Sequence, residues 1–138
     1  MRAGEAVFVD TGAWVALALA RDPLHGRAVE AWEMLLDAGA RLSTSVPVML
    51  ETFTFLDRNA HRDVALSWRE ALSDVAHLKL LECRLGDLEQ SWAYFRHADL
   101  QKLSAVDATS FVLMKREKIR VAFAFDHHFG SVGFRLVG

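Results

Sequence analysis

Two short runs of the chain, residues 6–9 and 121–125, are apolar at every position and partly β-branched. That is the pattern of strands covered on both faces in a parallel sheet. Residues 42–44, 77–81 and 134–137 are briefer strand candidates. Between them the apolar residues recur at helical spacing. Residues 11–20 form an Ala- and Leu-rich helix that should stop near Asp22-Pro23, because the residue before proline avoids helical geometry. Residues 25–38 place Ala28, Trp32, Leu35 and Leu36 on one side and meet a C-terminal stop at Gly39. Ser45 can cap a helix with Pro47 in its first turn and Val48, Leu50, Phe53 and Leu56 as apolar positions up to Asn59. Three more helical repeats follow: 61–73 through Val64, Trp68 and Leu72; 84–98 through Leu85, Leu88, Trp92 and Phe95; 104–117 through Val106, Phe111 and Met114.

Strands alternating with helices predict an α/β fold with a mainly parallel sheet. In such sheets ligands bind beyond the carboxyl ends of the strands, where Asp10 and Asp126 fall. With 138 residues, one domain spanning 1–138 is expected. The 52% apolar and 25% charged residues exclude a disordered or low-complexity chain. The formal charge of −2 means that any nucleic acid must be held by a local patch or a metal rather than by bulk charge. Cys83 is the only cysteine, so no intramolecular disulfide or cysteine zinc cluster can form, which fits a reducing cytoplasm. Residues 6–20 have the outline of a signal peptide, but Asp10 interrupts the apolar stretch, which is also too short to span a bilayer.

Four acids stand where an acid is an unusual choice. Asp10 and Asp126 end apolar strands. Glu51 shares a helix face with Val48 and Phe55, and Asp107 shares one with Phe111 and Met114. A buried, unpaired carboxylate costs several kcal/mol, so each needs a proton, a basic partner or a metal ion. No Lys or Arg lies within four residues of Asp10, and only Arg58 and the Lys115 to Arg120 cluster lie along the helices of Glu51 and Asp107. One divalent cation would answer all four acids. Carboxylate oxygens select Mg²⁺ or Mn²⁺, whereas zinc favours His and Cys, which show no suitable spacing. Such an ion keeps bound waters, one of which can attack phosphorus, so phosphodiester hydrolysis is the expected chemistry. Each acid also has a purely structural reading. Ser104-Ala105-Val106-Asp107 is a capping-box-like S-x-x-D, Asp10 and Asp126 could cap the segments after them, and Glu51 could pair with an arginine.

Val9-Asp10-Thr11-Gly12-Ala13, Glu51 within a helix, Leu103-Ser104-Ala105-Val106-Asp107-Ala108-Thr109-Ser110-Phe111 and Ala124-Phe125-Asp126-His127-His128-Phe129, in that order, resemble the PIN domain. The similarity is closest to the VapC-type ribonuclease toxins of prokaryotic toxin-antitoxin pairs and covers about residues 6–136. It implies a three-layer α/β/α fold with a central, mainly parallel sheet. It further implies a Mg²⁺- or Mn²⁺-dependent endoribonuclease, usually a homodimer, inhibited by a separately encoded antitoxin protein that obstructs the acidic pocket. By position Asp10, Glu51, Asp107 and Asp126 match the family's acidic quartet. The first three would position one or two ions, and Asp126 would assist through metal or water. Thr11 matches the hydroxyl residue after the first acid and Ser104 the one before the third; Asp99 receives no metal role. The competing readings are a PIN nuclease outside a toxin-antitoxin pair and a non-catalytic acidic binding module on the same fold.

Asp126-His127-His128 is similar to the name motif of the DHH phosphoesterases, but the further Asp and His motifs of that family are absent, and the pair reads as adjacent surface histidines. A haloacid-dehalogenase-like phosphatase is disfavoured because Gly12 replaces the second Asp of Asp-x-Asp, and a receiver domain because its acidic pair and late lysine are not evident. Lys115, Arg116, Lys118 and Arg120 are either RNA-phosphate contacts or, the favoured reading, the solvated end of a helix. The four tryptophans read as core, with Trp14 also placed to line a dimer or antitoxin surface; Cys83 reads as a passive, partly buried thiol.

Overall fold

The computed structural model describes residues 2–138. Five strands, β1 (Ala6–Val9), β2 (Arg41–Ser45), β3 (Lys79–Leu81), β4 (Val121–Phe123) and β5 (Arg135–Val137), form a sheet in the order β3-β2-β1-β4-β5, every pair parallel. The central strand β1 registers Val7 with Leu42 on one side and with Val121 on the other, and Val7, Phe8 and Val9 are fully buried. That is why its sequence is apolar without alternation.

The helices are α1 (Thr11–Ala18), α2 (His25–Asp37), α3 (Val46–Asn59), α4 (Arg62–Leu72), α5 (Leu85–Ser91), α6 (Ala105–Arg116) and α7 (His128–Ser131), with a 3-10 turn at Trp92–Arg96 between α5 and α6. From β1 the chain steps outward through β2 to β3, then returns to β4 on the far side of β1. Right-handed crossovers therefore place α1 to α4 on one face and α5 to α7 on the other. The packing agrees: α1 meets α2 and α3, and α3 meets α4, while α6 meets α5 and α7. Strand order reverses between β1 and β4, and the helices leaving those two strands diverge to opposite faces. The gap between them is the crevice where open α/β sheets hold ligands. Helices α3 and α6 meet across it.

Local signals explain most boundaries. Ser45 Oγ accepts the Val48 N–H at 3.2 Å and Ser104 Oγ the Asp107 N–H at 3.0 Å, so both serines cap as expected. Gly39 adopts φ +64° after α2, a conformation glycine enters without penalty. Helix α1 ends at Ala18, two residues short of expectation. Leu19 turns extended, and Asp22 Oδ1 accepts the Leu24 N–H at 2.8 Å in the turn leading to α2.

Three expectations are corrected. On α3 the buried face is Val48, Thr52 and Leu56, whereas Leu50 is 66% exposed and Phe55 42%. Thr52 is tolerated inside because its hydroxyl donates to Val48 O at 2.8 Å. Residues 84–98 are not one amphipathic helix but α5 and the 3-10 turn. Leu85, Trp92 and Phe95 face outward, while Asp87 and Ser91 are buried. The inversion has a tertiary cause: Asp87 accepts the Arg84 N–H at 2.9 Å and pairs with Arg116, which also donates to Glu82 O at 3.1 Å. Helix α7 was not anticipated. Trp14 and Trp68 are core as expected, and Trp32 packs against Trp14 with centroids 5.7 Å apart, but Trp92 is not core.

Within the basic stretch, Lys115 and Arg116 are engaged by contacts of this kind. Arg116 is tied to Asp87 and Glu117, Lys79 binds Glu117 at 2.9 Å, and Lys115 lies over the Tyr94 ring. It ends α6, eight residues beyond Asp107 and so about 12 Å further along the axis. Its charge therefore lies toward the amino ends of the strands, away from Asp10.

Candidate active site

Four elements deliver the acids to the crevice. Asp10 follows β1 directly and its N–H donates to Phe123 O at 3.0 Å, which locks it against the end of β4. Asp126 lies three residues past Phe123. Asp107 sits in the first turn of α6 and Glu51 in α3, the two helices that meet across the gap. Asp10 and Asp107 are buried, while Glu51 and Asp126 are half-buried at the rim. Glu51 thus stands one position off the buried face of α3, less enclosed than its sequence neighbours suggest.

The structural readings of these acids can be checked singly. Asp10 occupies the N-cap position of α1 without a side-chain cap bond. The Ser104 half of the capping box forms, but the Asp107 carboxyl turns to Asp126 and not back to Ser104. Asp126 Oδ1 does cap, accepting the His128 N–H at 2.9 Å, so one of its oxygens is structural. Among the described residues no Lys or Arg forms a salt bridge with Asp10, Glu51, Asp107 or Asp126.

The acids instead act on each other. Burial pushes the Asp10 carboxyl up to about 7, the charges of Glu51 and Asp126 add to the rise, and the amides of Thr11 and Gly12 oppose it. Burial likewise pushes Asp107 up to about 9, aided by the charge of Asp10 and by its hydrogen bond to Asp126. Burial would also raise Asp126, but the His128 N–H, the hydrogen bond from Asp107 and the His128 and His127 rings together hold it below the usual carboxylate range. At neutral pH Asp107 is therefore the protonated partner and donates its O–H to the Asp126 carboxylate.

The donor set fits a hard divalent cation. It is made of carboxylate oxygens, no Lys or Arg among the described residues pairs with it, and both Asp10 Oδ1 and the Thr11 hydroxyl are buried with nothing to bond to. The buried Thr11 hydroxyl follows Asp10 directly in the chain, whereas Ser104 contributes by capping the turn that carries Asp107.

The family profile of the PIN domain matches residues 7–135. The chain belongs to the PIN domain family. It is 36% identical over 129 residues, 93% of its own length and 95% of the relative's, to the 23S rRNA-specific endonuclease VapC20 of Mycobacterium tuberculosis. The crystal structure of that VapC20, described as a sarcin-ricin loop cleaving toxin, superposes with a TM-score of 0.79 at 32% identity, covering 93% of this chain and 95% of the other. VapBC2 from Rickettsia felis, bound to a DNA fragment from its promoter, matches at TM-score 0.67 and 12% identity over 95% and 96% of the two chains, a likeness of fold alone.

Within this PIN domain the structure also assembles a group that the sequence reading set aside. Ligand-type atoms of Asp126, His127 and His128 lie within 4.8 Å of one another. The histidines are not both on the surface: the His127 side chain is 81% exposed and that of His128 only 6%. The signal available in the sequence was Phe129, which anchors the turn in the core against Phe111, with ring centroids 5.0 Å apart. A residue next to such an anchor, at the start of a one-turn helix, is easily drawn inward.

Proposed function

We propose that this chain acts as one PIN-like domain, a divalent-metal-dependent endoribonuclease and the toxin of a toxin-antitoxin pair, working in the cytoplasm with Mg²⁺ or Mn²⁺. The observation that carries the reading is the meeting of Asp10, Glu51, Asp107 and Asp126 in one crevice with no Lys or Arg paired to them among the described residues. A cation bound there would polarise the scissile phosphate and lower the pKa of a coordinated water. Asp10 and Asp107 would be its innermost ligands, Glu51 would close the site from α3, and Asp126 would hold a ligand or the attacking water in place. Thr11 would support the Asp10 end through its free hydroxyl. The similarity to VapC20 makes large-subunit ribosomal RNA, and its sarcin-ricin loop, the substrate to try first.

Two surfaces suit protein partners. A groove of about 650 Å³ between α1, α2 and α4 is lined by Trp14, Leu17, Trp32, Val64, Trp68 and Leu72, an apolar bed of the kind that receives the apolar face of a helix. We assign it to the antitoxin. A second groove of about 690 Å³, lined by Val46, Leu50 and Phe55 and reaching Glu51, is assigned to the homodimer. Among the described residues no helix is long and apolar enough to cross a membrane.

The test is cleavage of a sarcin-ricin hairpin RNA by purified chain. Activity that requires Mg²⁺ or Mn²⁺, stops in chelator and is lost in a folded Asp10→Asn variant supports the reading. Cleavage unchanged in that variant refutes the assignment. Cation binding without cleavage of any RNA would turn the reading to a binding module. Cleavage without growth arrest on expression would turn it to a nuclease outside a toxin-antitoxin pair.

A further inference from the structure

Glu51 and Asp107 lie within helices and Asp10 follows β1 directly with its N–H bonded to Phe123 O, whereas Asp126 lies three residues past β4 in a short turn and is 34% exposed at its side chain. A carboxylate so placed would swing freely without a second support. That support is His128. Its backbone N–H meets Asp126 Oδ1 at 2.9 Å, and its ring Nδ1 approaches the same oxygen at 2.7 Å, a close polar contact off the line of an ideal hydrogen bond. Both His128 contacts fall on Oδ1, which leaves the other carboxylate oxygen free of His128 and able to face a cation. The far ring nitrogen, Nε2, faces Gln101 O at 2.8 Å.

Gln101 lies in the segment between the 3-10 turn and Ser104, pinned by the buried Leu100 and Leu103. The next residues are the cap and first turn of α6, which carry Asp107. A single buried ring therefore spans from the loop that leads into the third acid to the carboxylate of the fourth, and Phe129 beside it fixes it in the core.

We propose that His128 is a positioning residue of the acidic site, aiming the free oxygen of Asp126 at the cation position and setting its distance from Asp107 through Gln101. The proposal rests on the acidic-site reading given above and deepens it. Outer groups that orient a metal-ligating side chain change metal affinity or activity by about 10–100-fold when removed.

Two amide replacements separate the two ends of the ring. In His128→Asn the amide nitrogen falls near the place of Nδ1 and keeps the contact to Asp126. In His128→Gln it falls near Nε2 and keeps only Gln101. Mn²⁺ binding to the full chain is measured by titration calorimetry, alongside thermal melting in chelator and kcat and KM on a hairpin RNA. The expected result is Mn²⁺ affinity within about threefold of wild type for His128→Asn and weakened by at least about tenfold for His128→Gln, with kcat falling and KM for RNA unchanged. A cycle with Asp126→Asn completes the test. If His128 acts through Asp126, His128→Gln causes no further loss of Mn²⁺ affinity in the Asp126→Asn background. Equal affinity in both histidine variants, or additive losses in the cycle, would overturn the proposal, as would losses that track the melting temperature alone. Failure of the wild-type chain to bind Mn²⁺ would overturn the acidic-site reading itself and the proposal with it, a result distinguished by appearing before any substitution is made.

Discussion

Asp10→Asn is the substitution for which the structure gives a magnitude as well as a direction. The Asp10 carboxyl titrates near 7 in the folded chain and at 3.8 when unperturbed. A pKa raised on folding means that the native state binds the proton more tightly than the unfolded one. Its contribution is therefore fully present below about pH 4 and is lost as pH rises through 7. At pH 8 the ionised carboxylate costs the metal-free fold on the order of 4 kcal/mol. Asparagine keeps the shape and removes the charge. Little bonding is lost, because Asp10 Oδ1 has no partner and an amide oxygen can still face the Thr11 and Gly12 amides.

The variant should thus be more stable than wild type in chelator at pH 8, by up to about 4 kcal/mol, which for a domain of this size is roughly ten degrees in Tm. At pH 4 the gain should nearly vanish. Divalent cation reverses the order. Wild type gains about 2.7 kcal/mol at a cation concentration 100 times its Kd, while Asp10→Asn gains little. Cleavage should fall at least ~100-fold in the variant, since the lost charge stabilisation is worth several kcal/mol. Melting curves in chelator and in Mn²⁺, at the two pH values, read all of this at once. If Asp10→Asn melts at or below wild type in chelator at pH 8, or shifts with Mn²⁺ as wild type does, the repulsive acid cluster is not there.

The other expectations are smaller. Because Asp10 and Asp107 must both lose protons to bind metal, Mn²⁺ affinity should rise from about pH 6 to about pH 9 and binding should release protons, seen as a calorimetric heat that depends on the buffer's ionisation enthalpy. Arg116→Ala strands the buried Asp87 carboxylate and should cost about 3–5 kcal/mol by denaturant unfolding, yet leave cleavage per folded molecule unchanged, because the basic stretch stands away from the acids. Ser104→Ala removes the cap of α6 and should cost about 1 kcal/mol, with a modest loss of Mn²⁺ affinity as the turn bearing Asp107 loosens.

The parts of this molecule legible in the sequence are those with local causes. β1 shows as an uninterrupted apolar run because it is covered on both faces, and α3 and α6 show their starts because Ser45 and Ser104 bond to amides three residues on. The acids stood out by the same logic, being polar where the neighbourhood is not. What stayed hidden was decided by partners distant in the chain. Asp87 is buried at the expense of Leu85 and Trp92 because Arg116, 29 residues later, comes to meet it. His128 turns inward toward a carbonyl 27 residues before it. A pattern of single residues carries no trace of a partner supplied by another element.

The position of the acids also explains how a site that opposes folding is tolerated. Net stability of a domain is only about 5–15 kcal/mol, so the penalty at Asp10 is a large share of it. It is concentrated where the backbone is least able to yield: Asp10 follows a strand whose last three side chains are fully buried, and Asp107 sits in the first turn of a helix buried from Ala108 to Met114. Relaxing the repulsion by moving either acid would open the core beneath it, at about 2–5 kcal/mol for each large side chain uncovered. The carboxylates are therefore relieved more cheaply by a proton at low pH or a cation at high pH than by movement. The rigidity of β1 and α6 is what keeps the mutually repelling acids together, as the proposed cation site requires.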